Sequence, residues 1–289
     1  MNLTINSPFR YAGGKFYARK LILEQITPHN YYIELFTGGG SIFFAKPKVA
    51  DNWLNDIDID LINTYKIIRD YPNELIDILK GEVATKERHS FYKNDFVPTN
   101  DLERAQRWFY LNRTSYSGIM NIKNCYWGYG DKYSMRPENW GMNITRTSKK
   151  LKNVKITDYD FEKVLDELPE NKEIFIFIDP PYINADQDKF YTYSFTRNDH
   201  DRLQKALIKY SQKFKFLLTY DNSSEIWKLY DWTKQILEKE WNYTINRTDD
   251  QKKNGNGIND VKKKGERYKG KELFILNYKS NYFEDLVLF

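Results

Sequence analysis

Ile174-Phe175-Ile176-Phe177-Ile178-Asp179-Pro180-Pro181-Tyr182 is the stretch on which the fold turns. Five β-branched or aromatic residues in succession read as a strand buried on both faces, as in the middle of a parallel sheet. Asp179 marks its end, because the two prolines that follow cannot continue a ladder. In open α/β sheets, ligands sit just beyond the carboxyl ends of the strands. An acid, a stiff turn and an aromatic ring therefore stand where chemistry is usually done. Alone, the tetrapeptide reads equally well as a strand end, a proline turn and a surface tyrosine, so the rest of the chain must decide.

Upstream, Tyr31-Tyr32-Ile33-Glu34-Leu35-Phe36 is strand-like, and Thr37-Gly38-Gly39-Gly40-Ser41 turns it into a helix over Ile42–Ala45. Strand, glycine turn and helix make the first unit of a nucleotide-binding fold, with glycines for close approach and free N–H groups at the helix start. The spacing is not G-x-G-x-x-G and no Gly-Lys-Ser/Thr follows, which excludes a dinucleotide fingerprint and a P-loop. Glu34 is unusual inside such a strand and hints at a polar task. A second strand, Val49 to Asn55, delivers Asp56 about 20 residues past the turn, where an acid can take the two hydroxyls of a ribose. Asp58 and Asp60 read as first-turn acids of the next helix. Near the start, Phe9-Arg10-Tyr11-Ala12-Gly13-Gly14-Lys15 pairs glycines with a lysine that can meet a carboxylate or phosphate.

The periodicity predicts helices over residues 16–27 and about 58–68, and mostly helix over 72–112. From Thr114 to Thr147 regular periodicity fades into a long loop rich in rings, amides and cations, and loops this long are usually functional. The cations Arg146, Lys149, Lys150, Lys152 and Lys155 follow it and suit phosphate contact. Further strands are expected at 154–156, 214–220, 233–247 and 271–278, with helices at 160–168, at 225–230 and, capped by Thr196, through Tyr210. A basic, glycine-containing loop lies at 250–270.

Composition narrows the class. The chain has 289 residues, a net charge of +5, one cysteine (Cys125) and three separated histidines (His29, His89, His200). That excludes an internal disulfide and offers no metal-ligand spacing, so no metal is expected. No apolar run reaches the roughly 18 residues of a membrane span, and Met1–Asn6 lacks the basic start and apolar core of a signal peptide. A cytoplasmic protein, monomeric and off the membrane, is expected. An aromatic content of 17% in polar, basic contexts suits base stacking, with little weight by itself.

Taken in order, Gly13-Gly14-Lys15, Glu34-Leu35-Phe36-Thr37-Gly38-Gly39-Gly40 with Leu54-Asn55-Asp56, Leu111-Asn112-Arg113, Asp179-Pro180-Pro181-Tyr182 and Lys271–Tyr278 resemble the Dam-like family of S-adenosylmethionine-dependent DNA adenine methyltransferases. The resemblance spans about residues 7–279. It implies a Rossmann-like α/β mixed sheet with helices on both faces, formed by 1–69 and 148–289. An inserted, mainly helical target-recognition domain with a β-hairpin would occupy 70–147. It implies S-adenosylmethionine, converted to S-adenosylhomocysteine, held by Tyr11, Lys15 (on the methionyl carboxylate), Glu34, Phe36, Gly38, Gly40, Ser41, Asp56 and Asp179. Asp179, Pro180 and Tyr182 would hold a flipped adenine of double-stranded DNA. Arg113, Tyr116, Ser117, Lys123, Tyr126, Trp127 and Arg136 would contact the nucleic acid. A restriction endonuclease is a conceivable functional companion.

The chemistry follows without the name. Adenine's exocyclic amine is a poor nucleophile because its lone pair is delocalised, and the Asp179 carboxylate with the Pro180 carbonyl can accept both of its hydrogens. The tetrapeptide alone does not distinguish adenine from the amine of cytosine, or DNA from RNA. The order of motifs and the Lys271–Tyr278 ending favour adenine in DNA, and intact Lys15, Asp56 and Asp179 argue against a silent DNA-binding relative. Where well-known members carry Tyr-Gly-Tyr-Asn-Gly, this chain has Thr114-Ser115-Tyr116-Ser117-Gly118. The resemblance thus bears on the chemistry and leaves the recognition sequence open.

Overall fold

The computed structural model describes residues 3–130, 132, 134–242 and 269–280. Seven strands, β1 (Tyr31–Glu34), β2 (Asp51–Asn55), β3 (Lys155–Thr157), β4 (Ile174–Ile178), β5 (Lys215–Asp221), β6 (Gln235–Asn242) and β7 (Lys269–Leu276), form one sheet in the order β3-β2-β1-β4-β5-β7-β6. The first five run parallel, and β7 is antiparallel to both β5 and β6. The helices are α1 (Arg19–Gln25), α2 (Ser41–Ala45), α3 (Ile59–Asp70), α4 (Pro72–Leu79), α5 (Lys86–Ser90), α6 (Asp101–Thr114), α7 (Trp140–Leu151), α8 (Phe161–Asp166), α9 (Gln187–Phe190), α10 (Arg197–Tyr210) and α11 (Ser224–Leu229). Among the described residues, no helix is long and apolar enough to cross a membrane.

The opening stretch explains the layering. All five residues of β4 are buried, and their alternation divides them between two cores. Phe175 and Phe177 join Tyr32, Phe43, Leu61, Phe109 and Ile144 under α2, α3, α6 and α7. Ile174, Ile176 and Ile178 join Val164, Leu203, Leu207 and Ile226 under α8, α10 and α11. Each buried side chain of this size contributes about 1.5–3 kcal/mol, so β4 is a main source of cohesion. Strand order reverses between β1 and β4, whose register pairs Glu34 with Phe177. Their carboxyl ends open the crevice in which such sheets bind ligands.

The region after α3 is helical, and Leu75, Tyr92, Phe109, Tyr110 and Trp140 continue the same core that contains Tyr32 and Phe43. The expected division at 147/148 falls inside α7, whose Ile144 and Leu151 are buried in that core. The long loop is correspondingly shorter than the sequence suggested, because Trp140–Leu151 forms a helix with one apolar face. Among the described residues the expected β-hairpin is not a ladder of strands. It reduces to a single antiparallel bridge, Ser115 to Trp127, flanked by Tyr116 N–H on Tyr126 O (2.7 Å) and Gly128 N–H on Thr114 O (2.9 Å). Gly128 permits this approach: a Cβ there would lie 2.2 Å from the Tyr116 Cα. The late strand expected over 233–247 is seen as β6 to Asn242, and residues 250–268 of the basic loop lie outside the described residues.

Candidate active site

The crevice is a cleft of about 570 Å³ lined by every residue expected to hold the cofactor or the base, from Tyr11 and Lys15 through Glu34, Phe36, Gly38, Gly40, Ser41 and Asp56 to Asp179, Pro180 and Tyr182. Size and concavity are those of a small-molecule site. Its lining brings in six carboxyl groups, from Glu34, Asp56, Asp58, Asp179, Asp221 and Glu272, of which Glu34 is kept mostly neutral by burial, against two lysines, Lys15 and Lys271. An acidic cleft of this kind repels a polyphosphate. It suits a ligand with cationic centres, hydroxyls and a single carboxylate, which is the chemistry of S-adenosylmethionine.

The glycine turn is shaped by its neighbours. Gly38 and Gly40 have φ of +47° and +65°, and a Cβ at Gly38 would lie 2.7 Å from Cε1 of Tyr11. Tyr11 thus lies against the turn because the turn has no side chains. Asp56 pins it: its carboxylate accepts Gly38 N–H at 2.7 Å and Asp58 N–H at 3.1 Å. Burial pushes Asp56 up to about 6, with the Gly38 hydrogen bond pulling the other way. Glu34 has a structural task. It accepts Tyr32 O–H at 2.9 Å and Phe43 N–H at 2.7 Å, satisfying a free donor at the start of α2. That N–H, expected to be available to a ligand, is consumed by Glu34. Burial raises this carboxyl to about 8, only partly offset by those two bonds.

Asp179 stands one residue past β4 and is met from three sides. Lys15 places its ammonium 2.7 Å from Oδ1 and 2.8 Å from Oδ2. The Thr219 hydroxyl, from β5, donates to Oδ1 at 2.6 Å. Tyr182 donates to Oε2 of Glu272, on β7, at 2.6 Å and lies 3.4 Å from Oδ1 of Asp179. The Lys15 ammonium also lies 4.9 Å from the Tyr182 ring centre. Burial alone would lower the Lys15 pKa, but the Asp179 and Glu272 carboxylates outweigh it and the net shift is upward. Thr219 and Glu272 were not singled out by sequence reasoning, although Glu272 sits in the Lys271–Tyr278 stretch.

The residues expected at the nucleic acid form a separate group, none of which lines the cleft. Tyr116, Lys123, Tyr126 and Arg136 are exposed, and Ser117 is half-buried at φ +53°. Trp127 is half-buried with its ring against His89 and Tyr129. Arg113 is a correction. It is 6% exposed, its guanidinium donates to Pro8 O at 3.1 Å, and burial pushes it down to about 10. A cation so enclosed cannot contact a phosphate. Beside it, the fully buried Asn112 grips the Arg10 backbone, donating to its carbonyl at 2.7 Å and accepting its N–H at 3.1 Å. These two residues of α6 moor the segment that carries Tyr11 and Lys15. Cys125, His89 and His200 are structural: Cys125 is buried, His89 bonds Thr114 and Cys125 O, and His200 bonds Tyr220. Among the described residues no cluster could hold a metal.

Residues 11–245 match the family described as D12 class N6 adenine-specific DNA methyltransferase. The chain is 28% identical over 284 residues to the type II methyltransferase M.MjaIII of Methanocaldococcus jannaschii, covering 86% of this chain and 96% of that protein. It is 29% identical over 240 residues to the type II methyltransferase M1.LlaDCHI of Lactococcus lactis subsp. cremoris, covering 76% and 82%. Over 115 residues it is 28% identical to the DNA adenine methylase of Escherichia coli K12, covering 38% and 41%.

Proposed function

Since the chain belongs to the D12 class of N6 adenine-specific DNA methyltransferases, we propose that Asp179 and Pro180 hold the amine of an adenine turned out of duplex DNA, with Tyr182 as its stacking platform. The family uses S-adenosylmethionine, which supplies an electrophilic methyl group on a sulfonium. The observation that carries the assignment is the position of Asp179. It ends the central strand β4 at the switch point, and its carboxylate is oriented by Thr219 at 2.6 Å and Lys15 at 2.7 Å.

A carboxylate accepting one amine hydrogen and a carbonyl accepting the other draw the nitrogen from planar toward tetrahedral geometry. The lone pair is then localised on one side. Charge-assisted bonds of this kind are about twice as strong as neutral ones. Positive charge develops on the nitrogen only as the bond to carbon forms, so the anionic acceptor stabilises the transition state more than the bound base. Stacking on Tyr182 contributes about 1–3 kcal/mol, offsetting part of the cost of leaving the duplex. On the cofactor side, the acidic cleft favours a cationic ligand, Lys15 is the cation available for its carboxylate, and Asp56 retains acceptor capacity for ribose hydroxyls.

Residues 70–147 then act as the target-recognition region, reading DNA with the exposed Tyr116, Lys123, Tyr126 and Arg136 of the segment between α6 and α7. The type II methyltransferases among the relatives support a restriction-modification setting for this chain. Long-read methylome sequencing of cells expressing the chain tests the function directly. N6-methyladenine at one recurrent motif is expected, and methylation confined to another base or to RNA would contradict it.

A further inference from the structure

Glu272 is 2% exposed, and its Oε1 is buried without a hydrogen-bond partner among the described residues. Its Oε2 accepts the Tyr182 hydroxyl at 2.6 Å and lies 3.9 Å from the Lys15 ammonium. An unpaired buried polar atom is costly, more so when charged, and such an atom calls for an explanation. Holding Tyr182 explains Oε2 and leaves Oε1 unexplained.

A second observation completes the picture. Lys15 occupies both oxygens of Asp179, at 2.7 and 2.8 Å. Those are the oxygens through which Asp179 would accept the adenine amine, so ammonium and amine compete for one carboxylate. An ammonium carries three donors on a flexible stem and can change partner by rotating its terminal torsions. Within the cleft, the next carboxylate it meets is Glu272.

We propose that Glu272 is a positioning residue that receives the Lys15 ammonium when the adenine amine takes Asp179, so that one cation exchanges carboxylates in each turnover. The inference rests on the reading of Asp179 as amine acceptor. The ammonium has three donors, so it can keep the cofactor carboxylate with one while another passes from Asp179 to Glu272 as the base arrives. Burial pushes Glu272 up to about 7 while Lys15 pulls it back, so a closer ammonium favours its ionised form.

Glu272→Gln keeps the shape and the acceptor for Tyr182 but lacks the charge, whereas Glu272→Asp keeps the charge on a shorter stem. Both are compared with wild type in single-turnover methylation at saturating S-adenosylmethionine, on a duplex carrying the motif that methylome mapping finds. Cofactor affinity is measured by calorimetry and base flipping by 2-aminopurine fluorescence at the target position. The expected result is a rate at least tenfold lower for Glu272→Gln, with affinity and flipping within twofold of wild type, and Glu272→Asp faster than Glu272→Gln. A wild-type rate in Glu272→Gln overturns the proposal. So does a loss confined to affinity or flipping, or Glu272→Asp falling below Glu272→Gln, since each assigns Glu272 to shape alone. Failure of the wild-type chain to methylate adenine would instead strike at the reading of Asp179.

Discussion

Lys15 and Asp179, 164 positions apart in the chain, share a two-oxygen ion pair at 2.7 and 2.8 Å in a nearly closed part of the cleft. The lysine comes from the N-terminal glycine motif and the acid from the end of the central strand. The two halves of the site, one for cofactor and one for base, therefore meet at this ion pair.

Replacing Lys15 by Met should leave Asp179 and Glu272 facing each other without a cation. Loss of one partner of a buried pair costs up to about 3–5 kcal/mol, less here because the Asp179 side chain is 19% exposed. We expect at least a tenfold loss of S-adenosylmethionine affinity by calorimetry, and a lower melting temperature. Unchanged affinity would remove Lys15 from the cofactor site.

Asn112→Ala should act on the cofactor from a distance. It removes two hydrogen bonds to Arg10 and so loosens the segment bearing Tyr11 and Lys15. A stability loss of about 1–3 kcal/mol is expected from the two bonds, together with weaker cofactor binding. A destabilised variant that binds cofactor as wild type does would show that the mooring serves the fold alone.

Exposed and buried cations should separate in a salt titration of DNA binding. Lys123→Ala and Arg136→Ala should each reduce the slope of log affinity against log salt by about 1. Arg113→Ala should leave that slope unchanged and lower the melting temperature instead, because its guanidinium is buried and donates to Pro8 O. A change of slope in Arg113→Ala would contradict its placement.

Glu34 predicts a pH signature. Its folded-state pKa of about 8 lies above the ordinary carboxylate value of 4.5. Between those two values the unfolded chain has lost a proton that the folded chain keeps, so raising the pH favours unfolding. From pH 6.5 to 8 Glu34 and Glu272 pull stability down. The three histidines, held below their ordinary 6.5 in the fold, pull it up over the lower part of that range. The Glu34 contribution is therefore read as the difference between wild type and variant. Glu34→Gln, which preserves both accepted hydrogen bonds, should flatten the fall measured by denaturant titration. A profile as steep as wild type would exclude Glu34 as its source.

The legible parts of this molecule were those in which adjacent residues carry the signal. The apolar run 174–178 gave the doubly buried strand, Thr196 gave the capped helix α10, and the glycine turn gave the β1–α2 unit. What stayed hidden depends on strands that become neighbours only when the sheet assembles. Thr219 and Glu272 reach Asp179 because β5 lies beside β4, and β7 beside β5. Arg113 misled because a cation beside a ring-rich loop reads as a phosphate contact until its burial is known. The paired glycines, the order of motifs and the acid at the strand end could be read in advance; the ammonium resting on that acid could not.

The central claim is that the Asp179 carboxylate activates the adenine amine. Its most direct test is single-turnover methyl transfer by Asp179→Asn on the mapped motif, with cofactor affinity measured on the same preparation. Removing one preorganised charged acceptor should slow transfer by about 10²–10³-fold, with a much smaller change in cofactor affinity. N6-methyladenine formed by Asp179→Asn within tenfold of the wild-type rate would contradict the account.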